Sequence, residues 1–147
     1  MTPEVLFFVY AENGQPSVSQ PAADGYEPGV KLNLFGVQSM FRPLFVPCQF
    51  TFYIATTIRG VDFAQDHRLR LVFRRDDRII VDGGEAVLQK PDKKAVLPLD
   101  ERQYMFHAAF TNVVIEDEGW YQTDLFFDGE LLGSYPVAFR KAVKNHD

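Results

Sequence analysis

The 147-residue sequence contains one cysteine and three histidines. Cys48 has no partner for an internal disulfide, which fits a reducing cytoplasm better than an oxidising compartment. His67, His107 and His146 are far apart, and neither a His-Glu-x-x-His motif nor a paired-cysteine spacing is present to encode a zinc site. The serines at 17, 19, 39 and 134 lie in no Gly-x-Ser-x-Gly elbow, so the usual serine nucleophile is missing. Gly83-Gly84 is followed by neither Lys-Ser nor Lys-Thr, so no phosphate-cradling loop is encoded. No cofactor is expected.

Long apolar runs are also missing. Arg42, Pro43 and Pro47 interrupt the best candidates well short of the ~18 residues that mark a membrane-spanning helix. The apolar start Val5–Tyr10 is preceded by Glu4 and by no lysine or arginine, unlike an export signal. Positive charge is in short supply. The net charge of −5 divides as −1 over 1–60, zero over 61–102 and −4 over 103–147. Phosphate neutralisation needs a basic face, so neither a nucleic-acid role nor a membrane role is expected.

Aromatic residues are abundant, with 14 Phe and 6 Tyr, and the length is that of one domain able to bury a core without staples. Period-2 alternation recurs along the chain, and no segment sustains a 3.6-residue apolar stripe. Val5–Ala11 and Lys31–Gln38 read as strands, separated by a Pro- and Gly-rich loop over 12–29. Along Cys48–Ile58 the even-numbered residues, including Phe50, Phe52 and Ile54, share the core face, which puts Tyr53 outward. In Arg68–Arg75, Leu69, Leu71 and Phe73 point inward while Arg68, Arg70 and Arg74 point outward. Ile79–Asp82 is a short strand closed by Asp82-Gly83-Gly84, and 90–94 is a second loop. Asp100 begins a possible helical turn before a strand starting near Met105. Tyr121, Thr123, Leu125 and Phe127 face inward, Asp128-Gly129 turns, and the chain returns to Phe139, with Pro136 placing that strand at an edge or bulge. Seven to nine short strands give an all-β fold of two packed antiparallel sheets, a β-sandwich over 1–140 with a polar tail at 141–147.

The stretch from Gly119-Trp-Tyr through Asp128-Gly129 to Pro136-Val-Ala-Phe139 resembles the closing hairpin of a group of uncharacterised bacterial β-sandwich proteins, immunoglobulin-like in general appearance. Leu32-Asn-Leu-Phe-Gly36, the Pro-bounded strand at 47–58 and His67-Arg-Leu-Arg-Leu71 follow the same order. The resemblance implies a fold and brings no catalytic residues. A tyrosine placed like Tyr121 buries its ring and bonds its hydroxyl to backbone at the sandwich corner.

Four site readings follow from the residues. Tyr53, Trp120 and Phe126, on outward faces, form an aromatic contact surface for a protein partner or for self-association. Arg68, Arg70 and Arg74, with Arg75 and Arg78, make a cationic ribbon that either binds an anionic partner or is neutralised by neighbouring acids. Glu116-Asp-Glu118 is an acidic turn that either attracts calcium or keeps a sheet edge soluble. Cys48 falls on an apolar face, where a thiol is inert. A non-enzymatic binding module is expected, with a small-molecule binder holding an apolar cavity as the alternative. An enzyme would need acids assembled by the fold, such as Asp62, Asp66 and His67 near Asp82.

Overall fold

The computed structural model describes residues 2–18, 24, 30–90 and 97–145. The fold is all-β. β1 (Glu4–Ala11), β5 (Cys48–Arg59) and β8 (Gln103–Ile115) form a three-stranded antiparallel sheet in the order β1-β5-β8. The second sheet has five strands in the order β4-β10-β9-β6-β7, from β4 (Met40–Phe41), β6 (His67–Arg75), β7 (Arg78–Leu88), β9 (Gly119–Phe127) and β10 (Glu130–Phe139). β4 pairs with β10 in parallel over two residues, the one departure in these two sheets from the expected antiparallel arrangement. β2 (Asn13–Val18) and β3 (Val30–Phe35) form a separate two-stranded ribbon.

The inner faces meet in an aromatic core. Phe52 of the smaller sheet lies 5.1 Å from Phe73 of the larger, and Phe41, Phe110 and Phe139 surround them. Such ring pairs are worth about 0.5–1.5 kcal/mol beyond their area burial. Alternation sets which residues arrive there: Leu69, Leu71 and Phe73 from β6, and Tyr121, Leu125 and Phe127 from β9, are buried as expected. The phenol of Tyr121 donates to the carbonyl of Asp117 at 2.7 Å while its ring stacks on Phe73, the anticipated corner. Asp128 and Gly129, at φ 50° and 83°, make the hairpin turn between β9 and β10, where both central residues need left-handed backbone.

Three sequence readings are corrected. The 12–29 stretch is not all loop, because Asn13–Val18 pairs with β3. Pro16 is tolerated there because a two-stranded ribbon leaves one side of each strand without ladder bonds. Residues 19–29, apart from Asp24, and most of the 90–94 loop lie outside the described residues. Asp82-Gly83-Gly84 does not end a strand: β7 runs on to Leu88, and these residues form a bulge where Arg70 opposes Glu85 and Val72 opposes Asp82. Gly83 suits the bulge because a Cβ there would come within 3.0 Å of the Leu71 carbonyl, and Gly84 takes φ 69°. The start of β8 falls at Gln103, directly after a single helical turn over Leu99–Glu101.

Candidate functional site

The outer face of the five-stranded sheet carries the arginines. Three of them pair with an acid on a neighbouring strand: Arg68 with Glu85 at 3.2 Å, Arg70 with Asp82 at 3.0 Å and Arg74 with Asp124 at 2.7 Å. Arg78 meets Glu116 at 2.8 Å, and Arg75 bonds the Glu118 carbonyl while lying over the ring of Tyr121. The hydrogen bonds from Arg70 and from the Gly84 amide hold the Asp82 carboxyl down at about 2. Burial pushes the Asp124 carboxyl up, but hydrogen bonds from Ser134, Arg74 and Gln122 outweigh it, so the group ends below its ordinary value. The ribbon is thus a charge-paired lattice. Phe126 lies beneath it, with the Arg70 guanidinium 5.6 Å from its ring centre.

Tyr53 is not wet. It is 7% exposed because β2 lies across it: a Cβ on Gly14 would sit 2.1 Å from the ring, so only glycine permits that contact. Its hydroxyl hydrogen-bonds His107 Nδ1, and burial raises its pKa. Alternation placed Tyr53 on the outer face correctly. What it did not show is that a ribbon covers that face.

Trp120 is 63% exposed, as its outward register requires. Ala138 is the cross-strand partner of both Trp120 and Met40, so those two side chains flank it on the outer face. Just beyond, β4 and β10 leave the sheet side by side. Arg140 donates its amide to Phe41 and Ala142 donates to Pro43, at 3.0 and 2.8 Å. Arg42 turns back to bond the carbonyls of Arg140 and Lys141 at 3.0 and 3.1 Å. The two segments so joined present Leu44, Phe45 and Val143 at 72, 71 and 76% exposure, the three most exposed large apolar side chains among the described residues. Sequence reasoning missed them. Their signal is Pro43-Leu-Phe-Val-Pro47, three apolar residues bracketed by prolines, which interrupts a strand pattern instead of extending one.

The remaining chemistry is tied into structure. His67 Nδ1 and Nε2 lie 2.6 Å from Asp128 Oδ2 and 2.5 Å from the Asp62 carbonyl, while Asp66 accepts from the Lys90 amide and Asp82 is held by Arg70. His67 thus sits beside Asp62 and Asp128, while Asp82 lies opposite Val72, five residues further along β6. Burial pushes the Cys48 thiol up, away from the reactive thiolate. Arg78 and Arg140 pair with Glu116 and Glu118, and no group of three metal-binding side chains occurs among the described residues. An open groove of about 360 Å³ runs between Phe8, Tyr10, Val37, Gln38, Tyr135 and Pro136. Of the polar groups along it, the Tyr10 hydroxyl bonds Thr123 and the Tyr135 carbonyl, and the Gln38 amide bonds Glu12 and Gly36, while the hydroxyls of Ser39 and Tyr135 also line the groove.

A family of unknown function, DUF6941, matches residues 22–140. The chain belongs to that family. The DUF6941 match takes in Met40, Leu44, Phe45 and Trp120 and leaves β1, β2 and Val143 outside it. No curated protein matches the sequence. Among solved structures, a beta-glucosidase from Listeria innocua in complex with gluconolactone is similar at 7% identity and a TM-score of 0.39. The alignment covers 90% of this chain and 16% of that one, and at this level it carries no argument about activity. No helix among the described residues is long and apolar enough to cross a membrane.

Proposed function

We propose that this DUF6941 chain is a non-enzymatic module that binds a protein partner through the apolar end of its five-stranded sheet. The carrying observation is the clustering of Leu44, Phe45 and Val143 where hydrogen bonds from Ala142 and Arg42 fix the two segments together. Trp120 and Met40 continue the same surface onto the sheet. Large apolar groups on a pre-positioned backbone are what contact hot spots consist of, because little conformational freedom is lost on docking. Arg42, Lys141 and Lys144 are exposed around them, so the matching partner surface is an apolar pocket with an acidic rim. The single half-buried cysteine suits a reducing cytoplasm.

The arginine ribbon plays a smaller part in this reading than its composition promised, since each fork is already paired. The small-molecule alternative would use the open groove beside Tyr10, where the Tyr10 hydroxyl and the Gln38 amide are committed to internal bonds and the Ser39 and Tyr135 hydroxyls would be the groups left to meet a ligand.

Affinity capture from the source cells with the natural chain, followed by binding assays on the purified partner, tests the proposal. The double variant Leu44→Ser/Phe45→Ser should weaken binding at least thirtyfold, the equivalent of about 2 kcal/mol for hot-spot truncation. Its melting temperature should not change, because both side chains are largely solvent-exposed. A partner bound equally well by the double variant contradicts the assignment.

A further inference from the structure

Among the described residues β8 is an edge of the three-stranded sheet, and its sequence, Gln-Tyr-Met-Phe-His-Ala-Ala-Phe-Thr-Asn-Val-Val-Ile, contains no Lys, Arg, Asp, Glu, Pro or Gly across 13 residues. A long uncharged edge is a template for strand pairing, and proteins normally guard such edges with charge, proline, bulges or cover. β8 has one bulge, at Thr111-Asn112 opposite Thr51, where Asn112 takes φ 53°, and this leaves Gln103–Phe110 regular and uncharged. The other edges here are guarded. β7 carries Arg78, Asp82, Glu85 and the Gly84 bulge, and β4 is two residues long. The end of β1 is met by the segment that follows β3, where the Gln38 amide bonds the Tyr10 carbonyl, and its start carries Glu4, paired with Arg59.

The surfaces flanking β8 from Met105 to Phe110 are apolar too, the Glu4–Arg59 pair lying in the row that begins at Gln103. On the outer face, β1, β5 and β8 align in rows Phe7–Thr57–Met105 and Val9–Ala55–His107, with no charged side chain in either. On the inner side, a slot of about 70 Å³ opens between β7 and β8, lined by Gly83, Gly84, Phe106, Ala108 and Phe110. This contrasts with the outer face of the larger sheet, which is crossed by arginine–carboxylate pairs.

We propose that two copies of this chain pair edge to edge through β8, antiparallel about a two-fold axis. The three-stranded sheets then join as one six-stranded sheet in the order β1-β5-β8-β8-β5-β1. The occupant is a second copy because two-fold pairing closes on itself: the joined sheet ends at β1 on both sides, where Glu4 marks one end of the strand and Gln38 bonds Tyr10 near the other. An added peptide strand would instead create a new open edge. A neutral strand also places no like charges opposite each other when it meets itself. This surface lies apart from Leu44, Phe45 and Val143, so the two proposals stand or fall separately.

Sedimentation velocity of the full chain, from low micromolar to sub-millimolar concentration, tests it. The natural chain should sediment as a dimer, twice 16.8 kDa, and Ala109→Lys and Met105→Lys should each halve that mass with unchanged circular dichroism. Leu44→Ser/Phe45→Ser should remain dimeric. Should a lysine variant fail to fold, hydrogen exchange of the natural chain decides the same question: amides over 105–111 should become more protected as concentration rises. A monomer at every concentration, a dimer surviving both lysine variants, a dimer lost only in the Leu44→Ser/Phe45→Ser chain, or concentration-independent exchange over 105–111 overturns the proposal.

Discussion

The phenolic oxygen of Tyr10, in the three-stranded sheet, lies 2.6 Å from the carbonyl oxygen of Tyr135 in the five-stranded sheet. A carbonyl can only accept, so Tyr10 donates to it and receives its second bond from the Thr123 hydroxyl at 2.8 Å. The ring is 4% exposed, and burial raises its pKa. This is a polar tie between layers otherwise joined by apolar packing. Tyr10→Phe leaves the buried Thr123 hydroxyl and the part-buried Tyr135 carbonyl short of a partner and should cost about 1–3 kcal/mol. Urea unfolding should show a lower midpoint at an unchanged slope.

Tyr121 makes a more local bond, from its hydroxyl to the Asp117 carbonyl four residues back. Removing one such bond while keeping the ring stacked on Phe73 should cost about 1–1.5 kcal/mol. An unchanged denaturation midpoint for Tyr121→Phe would show that the turn from Glu116 to Glu118 is held by its arginine contacts alone.

His67 sets the pH dependence near neutrality. Burial lowers its pKa, but both ring nitrogens face acceptors, the Asp128 carboxylate and the Asp62 carbonyl, and the imidazolium that can donate to both is favoured on balance. A folded pKa above the unfolded value of about 6.5 means that this stabilisation is complete below that pH. It is lost as pH rises through the folded value. The melting temperature should therefore fall between mildly acidic and alkaline buffer, and Asp128→Asn should flatten that fall. Asn suits the site because position 128 has φ 50°. Asp124 acts in the opposite sense at acid pH, since its lowered pKa gives stability above its unfolded value that disappears as pH falls through the folded one.

Much of this architecture was legible because alternation is a local property. β5, β6 and β9 have one face bound for the core, and their registers put Phe52, Phe73 and Tyr121 where the structure has them. What failed was everything decided by a second segment. Whether Tyr53 is wet depends on the β2–β3 ribbon, and that ribbon was hidden because Gly14 and Pro16 also read as loop residues. Asp82-Gly83-Gly84 serves a bulge as readily as a reversal, and only the partner strand distinguishes the two. The sequence offers acids near the arginines, and only cross-strand register shows which of them each arginine meets: Glu85 and Asp82 from β7, Asp124 from β9. Leu44 and Phe45 break the alternation, so a search for alternation passed over them, although apolar residues between prolines are a sign of a displayed loop.

The most direct measurement is a hydrogen-exchange footprint of the chain, alone and saturated with its captured partner. Added protection should centre on residues 40–45 and on the amides around Trp120 and Val143, with the paired-arginine strands β6 and β7 unchanged. Protection confined to β6 and β7, or to the groove beside Tyr10, would contradict the assignment of the contact surface to the apolar end of the larger sheet.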